Sequence, residues 1–171
     1  MGALKLVKPT LDYKDEIWNF RLEHGLTASK IPGANGLEVC ASCEEWLKKI
    51  EQLNEIPASN YLALREADSK VVGIVEMRHV LNDYLYTFGG NIGYSIKPSE
   101  RKKGYAKELL RLALCECDDL GINKVLVTCS KQNIASAKTI IANGGILEDE
   151  VDRGDKIIQR YWINNLNKKS Y

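Results

Sequence analysis

The segment from Gly104 to Leu120 carries the most regular pattern in the chain and restricts the fold more than any other stretch. Its apolar residues recur at steps of three and four, the spacing of one helix face: Ala106, Leu109, Leu110, Ala113, Leu114, Cys117 and Leu120. Gly121 follows at the position that helix ends favour. Residues 125–127 then form an unbroken apolar run, typical of a strand buried on both faces. The pattern predicts an amphipathic helix packed on a buried sheet.

The rest of the chain alternates between strand and helix patterns. A capping box at Ser42 to Glu45 marks one helix start, and Asn133 can cap another. The remaining predicted elements are strand Leu4 to Val7, helix Tyr13 to His24, strands Tyr61 to Glu66, Val71 to Leu81 and Asn91 to Ile96, and strands Ile146 to Val151 and Lys156 to Ile163. The predicted order is βααβββαβαββ, an α/β (α+β) fold.

The totals limit the class of protein. With 171 residues the chain has the length of one domain, and we expect a core over residues 4–163 followed by a polar tail over 164–171. The net charge of +1 argues against broad binding to nucleic acid or anionic lipid. No apolar run approaches the ~18 residues that span a bilayer, and the N-terminus lacks a signal peptide. We expect a cytoplasmic protein without nucleic-acid or membrane partners, a monomer or a homodimer.

Five cysteines give no disulfide framework. They stand at positions 40, 43, 115, 117 and 129, an odd number, and Cys115 and Cys117 would point in different directions from one helix. Cys40 and Cys43 have the spacing of a redox motif or half a zinc site, but there is no second such pair, and only His24 and His79 could complete a site. We therefore predict buried or unreactive thiols and no metal.

A basic turn precedes the longest predicted helix. The strand before it stops at Pro98, residues 101–104 read Arg-Lys-Lys-Gly, and the helix starts at once from Tyr105. Free amides at a helix start, together with the helix dipole, favour an anion, and Gly104 allows close approach of a phosphate. The turn is a candidate pyrophosphate site, although a basic turn before a helix is also an ordinary solvated cap.

The element order and this turn together resemble the GCN5-related N-acetyltransferase (GNAT) family. Its signature is Gln or Arg, two residues, Gly, any residue, then Gly or Ala, and residues 101–106 match every specified position. The resemblance extends over nearly the whole chain. The segments Gly89 to Tyr94 and Asn133 to Ser136 are similar to a bacterial subgroup of predicted acetyltransferases, in which His often stands where this chain has Asn91.

The resemblance implies an acetyl-CoA site. The cofactor would lie between two splayed parallel strands of a mixed central sheet, Asn91 to Ile96 and Lys124 to Cys129, with its pyrophosphate on the amides of Lys102 to Ala106. The pantetheine arm would pair with the backbone near Tyr94, Ser95 and Ile96. The implied cofactor-binding residues are Tyr94, Ser95, Ile96, Arg101, Lys102, Lys103, Gly104, Tyr105, Ala106, Asn133 and Ser136. Asn133 also has a simpler interpretation as a helix cap.

Transfer to an amine needs a proton acceptor and a proton donor. The family's common donor is a Tyr seven residues after that Asn, and here Ile140 stands there. Tyr94 is our candidate donor, with Tyr105, Tyr84, Tyr86 and solvent as alternatives.

For the base, Glu76 and His79 lie on the strand before the cofactor strand. Alternation places them on opposite faces, so at most one points into the site. His79 has the more suitable unperturbed pKa, whereas Glu76 would need its pKa raised by burial. A Glu76–Arg78 salt bridge on a solvated strand face is an equally good account of both residues.

These residues predict an N-acetyltransferase that moves an acetyl group from acetyl-CoA to a primary amine of a small molecule or protein. The alternative is a non-catalytic acetyl-CoA sensor or interaction module, favoured by Ile140. A P-loop nucleotide site fits less well because the chain lacks the Gly-rich run with Lys-Ser/Thr. The acceptor pocket would come from residues 26–41, 81–90 and 152–155, which carry no recognisable specificity signal.

Overall fold

The computed structural model describes residues 2–25, 29–52 and 55–166. Its strands are β1 (Leu4–Val7), β2 (Ala58–Arg65), β3 (Lys70–Arg78), β4 (Ile92–Ile96), β5 (Lys124–Ser130), β6 (Ile146–Asp152) and β7 (Ile157–Asn164). Its helices are α1 (Lys14–Glu23), α2 (Cys43–Glu51), α3 (Tyr105–Asp119) and α4 (Ile134–Ala142). The predicted order and fold class are confirmed. In these ranges no helix combines the length and apolarity needed to cross a membrane.

The strands form two antiparallel sheets. One has the order β1-β2-β3-β4 and the other β5-β7-β6. The sequence predicted one mixed central sheet with a parallel strand pair. In the structure this parallel pair is β4 and β5, which face each other where the two sheets meet. There Asn91 lies beside Leu126, while Tyr94 and Cys129 both lie against Ser136. Each strand advances by three residues between these two contacts, from Asn91 to Tyr94 and from Leu126 to Cys129, so the two strands run in the same direction.

Two apolar clusters cover the two faces of the first sheet. Helices α1 and α2 and residues 31–40 pack on one face, where Trp46 is fully buried and its Nε1 donates to the Ala34 carbonyl at 2.7 Å. Helix α3 packs on the other face through Leu109, Leu110 and Ala113. Each fully buried large side chain contributes roughly 1.5–3 kcal/mol, so these two interfaces hold the sheet and helices together.

Local signals set the helix ends as predicted. The Ser42 Oγ accepts from the Glu45 amide at 3.1 Å, and the Asn133 Oδ1 accepts from the Ser136 amide at 3.1 Å. At the end of α3, Gly121 has φ of 76° and the Ile122 amide donates to the Cys117 carbonyl at 2.8 Å. This is the glycine-terminated helix end that the sequence predicts.

Several predicted boundaries differ from the structure. Strand β3 ends at Arg78, short of Leu81, and a π-helical turn over Leu85–Gly89 lies within the predicted loop. The polar tail starts later than residue 164, because Asn165 is buried and its Nδ2 donates to the Leu114 carbonyl at 2.7 Å. Residues 167–171 of that tail and Leu53 of the second predicted helix lie outside the described residues.

Asn91 joins the two sheets. Its amide donates to the Leu126 carbonyl at 2.7 Å, and its Oδ1 accepts from the Leu126 amide at 2.9 Å. On the other side its Nδ2 donates to the Arg78 carbonyl at 3.0 Å. With 3% of its surface exposed, Asn91 thus acts as the hydrogen-bonded junction from which β4 and β5 separate.

Replacing Asn91 with alanine should lower the free energy of unfolding by roughly 2–5 kcal/mol, because it leaves two buried backbone groups without partners. Urea unfolding followed by circular dichroism measures this loss. Asn133→Ala, which removes an exposed helix cap, is the matched control and should cost about 1 kcal/mol. Equal losses in the two variants would contradict the assigned role of Asn91.

Candidate active site

The turn between β4 and α3 has the backbone of an anion site. Lys102 and Gly104 both adopt left-handed conformations, with φ of 61° and 85°. Gly104 is the N-cap of α3, and no side chain in the described part of the chain caps this helix start. The first amides of a helix have no partner within it, so those following Gly104 point outward, unsatisfied. Since residues 101–104 are exposed, the turn fits a pyrophosphate.

Two contacts hold the start of this turn. The Arg101 Nε donates to the Ile96 carbonyl at 3.2 Å, so part of the guanidinium is directed back to β4. The Glu23 carboxylate accepts from the amide and the hydroxyl of Ser99, both at 3.0 Å. Burial acts to raise the pKa of Glu23, but these bonds outweigh it and the pKa is lowered. Helix α1 therefore anchors the turn from outside the motif.

The gap between β4 and β5 contains a small polar cluster. The Tyr94 hydroxyl lies 3.2 Å from the Ser136 Oγ at the start of α4. The Cys129 thiol, on β5, lies against the Ser136 hydroxyl. Burial raises the pKa of both Tyr94 and Cys129, so both stay protonated near neutral pH. Two predicted cofactor-binding residues, Tyr94 and Ser136, thus meet in this gap.

Strand β4 presents an unpaired edge to the gap. Among the described strands it pairs only with β3, as the last strand of its sheet. The Ile96 side chain is buried in the core, and the Ser95 hydroxyl donates to the Pro32 carbonyl on the opposite face. These two residues can therefore offer a ligand only their backbone, which is the role predicted for them.

The two candidate bases lie in different places. Glu76 pairs in register with Gly93 of β4, and its carboxylate accepts from Arg78 Nη2 at 3.0 Å. The His79 Nε2 lies 2.8 Å from the Ser59 hydroxyl on β2, on the far side of β3 from β4. The geometry therefore brings Glu76, and not His79, to β4, the predicted cofactor strand.

The predicted alternative for Glu76 is present in a different form. Its salt bridge with Arg78 exists, but the carboxylate is buried, with 9% of the residue exposed, whereas a solvated face was expected. The Arg78 Nη1 also donates to the carbonyls of Gly89 and Gly90, at 3.3 and 3.1 Å. Arg78 thus ties Glu76 to the junction of the sheets, a role that the sequence analysis missed.

The other candidate proton donors lie away from the gap. Tyr105 is buried in the core, and its hydroxyl is 3.4 Å from the Arg65 Nη1. Tyr84 directly precedes the π-helical turn, Tyr86 lies on it, and both are exposed. Ile140 is fully buried beside Gly145, so its position offers no proton donor. Of the candidates, only Tyr94 places a phenol between the two strands.

Residues 31–36 cover the face of β4 that carries Gly93. A Cβ on Gly33 would lie 2.4 Å from the Gly93 carbonyl, and Gly33 has φ of 79°. The sequence analysis assigned this region, within residues 26–41, to the predicted acceptor pocket but gave no signal for its contact with β4; residues 26–28 lie outside the described residues. Gly33 thus lies against Gly93, on the face of the sheet that Glu76 and Arg78 share.

All five cysteines are free, and four of them, including Cys40 and Cys43, are buried. Burial raises the pKa of Cys117 to about 12. Within the described ranges, no group of three or more His, Cys, Asp and Glu side chains could hold a metal ion.

Comparison of the sequence with models of protein families identifies the class of protein. A family model described as an acetyltransferase (GNAT) domain matches residues 4–145. The chain therefore belongs to the GNAT acetyltransferase family. No curated protein sequence matches the chain significantly.

Solved acetyltransferases share the fold. The ribosomal-protein-S5-alanine acetyltransferase of Vibrio fischeri has a TM-score of 0.68 at 16% identity, covering 97% of this chain and 94% of its own. A mutant spermidine N-acetyltransferase of Vibrio cholerae gives 0.66 at 16% identity, with 98% of each chain covered. The microcin C7 self-immunity acetyltransferase, in complex with acetyl-CoA and AMP, gives 0.69 at 17% identity, covering 94% and 92%. At these identities the likeness shows the fold alone.

Proposed function

We propose that the protein transfers an acetyl group from acetyl-CoA to a primary amine of a small molecule or protein. The observation that carries the proposal is the uncapped start of α3 at Gly104, in the turn that directly follows the edge strand β4. The amides after Gly104 bind the pyrophosphate, and the β4 backbone over residues 94–96 pairs with the pantetheine arm. Acetyl-CoA supplies an activated acyl group with a thiolate leaving group.

Glu76 and Tyr94 divide the proton transfers between the two faces of the sheet. They lie on neighbouring strands, and Tyr94 follows Gly93, the partner of Glu76, so their side chains point to opposite faces. Glu76 takes a proton from the acceptor ammonium on the face covered by residues 31–36. Tyr94 gives its hydroxyl proton to the departing sulfur in the gap between β4 and β5, and the second proton that the nitrogen loses as the amide forms goes to solvent, from which Tyr94 regains its own.

The second candidate function is binding of acetyl-CoA without transfer. The fully buried Ile140 favours it, because it leaves the family's common donor position without a titratable group. Tyr94 is the feature that favours transfer, since its phenol reaches α4 one turn before Ile140.

Titration calorimetry and a thiol-release assay test the proposal together. We expect acetyl-CoA to bind with 1:1 stoichiometry and to raise the melting temperature, as a ligand selective for the native state must. Free thiol should then appear with at least one amine of a library that contains diamines, amino acids and lysine peptides. Binding without thiol release would favour the sensor, and no binding at millimolar acetyl-CoA would refute both functions.

Glu76→Gln should lower the transfer rate at saturating acetyl-CoA by ~10²-fold or more, because it removes the positioned base. The deficit should shrink as pH rises toward ~10.4, where a lysine-like amine deprotonates unaided. His79→Ala is the control and should retain nearly the wild-type rate, since its ring is bonded to β2. pH–rate profiles with one good amine measure both variants, and a larger loss for His79→Ala would reverse the assignment.

A further inference from the structure

A chain of ion pairs connects the candidate pyrophosphate turn to the β2–β3 hairpin. The Arg65 Nη1 donates to the Glu100 Oε2 at 2.9 Å, and the Lys103 Nζ donates to the same oxygen at 2.9 Å. The Arg65 Nε and Nη2 donate hydrogen bonds to the Oδ1 and Oδ2 of Asp68, at 2.9 and 2.7 Å. Arg65 also lies 3.4 Å from the hydroxyl of Tyr105, the first residue of α3. The network therefore contacts the turn before, within and after its basic run.

This network is more than a set of surface charges. The side chains of Arg65 and Glu100 are only 18% and 14% exposed. The hydrogen bond from Lys103 and the charge of Arg65 lower the pKa of Glu100, while the bond from Arg65 lowers the pKa of Asp68 to about 2. Glu100 is therefore charged at neutral pH and pairs with two cations, the partly buried Arg65 and Lys103, whose side chain is 51% exposed.

The turn needs such support because its backbone is unusual. Lys102 has φ of 61°, a conformation that residues with a side chain rarely adopt. Lys102 lies between Glu100 and Lys103, whose side chains are hydrogen-bonded to each other. Gly104 follows Lys103 directly. A turn already held in this shape presents the α3 amides without further ordering when a ligand arrives.

We propose that Arg65 and Glu100 are positioning residues that preorganise the turn over residues 101–104 for the acetyl-CoA pyrophosphate. The inference rests on the proposed acetyl-CoA site. Neither side chain needs to touch the ligand, because both act through the backbone that the network holds. Loss of either residue should weaken acetyl-CoA binding and leave the transfer step unchanged.

Arg65→Gln and Glu100→Gln, singly and together, test the inference. Each should raise the Kd and the KM for acetyl-CoA by ~10-fold with kcat and the acceptor KM unaltered, and the double variant should be little worse than either, because the two residues act as a unit. Without ligand, hydrogen exchange at the amides of residues 101–106 should accelerate. Glu108→Gln is the control, since it breaks an ion pair with Arg111 farther along α3, at 2.8 Å.

Several outcomes separate this inference from the proposed function. If wild-type protein binds acetyl-CoA and both network variants bind it equally well, the inference is overturned and the proposed function stands. An equal rise of Kd in Glu108→Gln would also overturn it, because it would reflect general helix destabilisation. If wild-type protein shows no acetyl-CoA binding, the proposed function and the inference fail together.

Discussion

Gly104→Val is expected to weaken acetyl-CoA binding at least ~100-fold, which corresponds to about 2.8 kcal/mol. Gly104 has φ of 85°, and a β-branched residue there is strained by roughly 1–3 kcal/mol. The added side chain also stands at the N-cap of α3, where under the proposed function the unsatisfied amides would meet the phosphates. Gly104→Asp should weaken binding further, because it adds a negative charge beside the pyrophosphate.

Two controls separate the anion site from loss of fold. Gly121→Val introduces the same side chain at φ of 76° at the other end of the same helix, where a Cβ meets open space. It should reduce the melting temperature but leave the affinity for acetyl-CoA nearly unchanged. Lys107→Ala alters an α3 residue beyond the turn. Titration calorimetry gives the affinities of all four variants, and equal losses in Gly104→Val and Gly121→Val would show that the anion site lies elsewhere.

Local sequence signals were sufficient for the parts of the fold that depend on near neighbours. The apolar period of α3, the glycine after it and the Asn133 cap each act within a few residues, and each was predicted and is present. Asn91 shows the limit. Its partners are Arg78, 13 residues away, and Leu126, 35 residues away, so the sequence could not reveal that it joins the two sheets.

The candidate site likewise contains one part that depends on near neighbours in the sequence and one that depends on distant residues. The turn over residues 101–106 is one continuous segment, so its backbone follows from a short motif. The choice between the candidate bases Glu76 and His79 depends on which residue each side chain contacts in the folded chain. The contact of His79 with Ser59 and that of Ser95 with Pro32 span 20 and 63 residues. Alternation along a strand predicted that at most one of the two candidate bases points into the site, and the register between strands places Glu76, not His79, beside β4.

Tyr94→Phe is expected to lower kcat by ~10²-fold or more while leaving the Kd for acetyl-CoA nearly intact, because it removes only the hydroxyl that we propose as the proton donor to the departing sulfur. The lost hydrogen bond to Ser136 should reduce the free energy of unfolding by about 1 kcal/mol. Tyr84→Phe is the matched control, since Tyr84 directly precedes the π-helical turn and is 55% exposed.

The pH dependence tests the assignment of Tyr94 independently. Burial raises its pKa above the ordinary value near ~10, and the donor is active only when protonated. Tyr94 should therefore cause no decline of kcat on the alkaline side below pH ~10. The phenylalanine variant should be slower throughout this range, by a constant factor. A variant with wild-type kcat at every pH would show that solvent protonates the sulfur and that Tyr94 only fills the gap between β4 and β5.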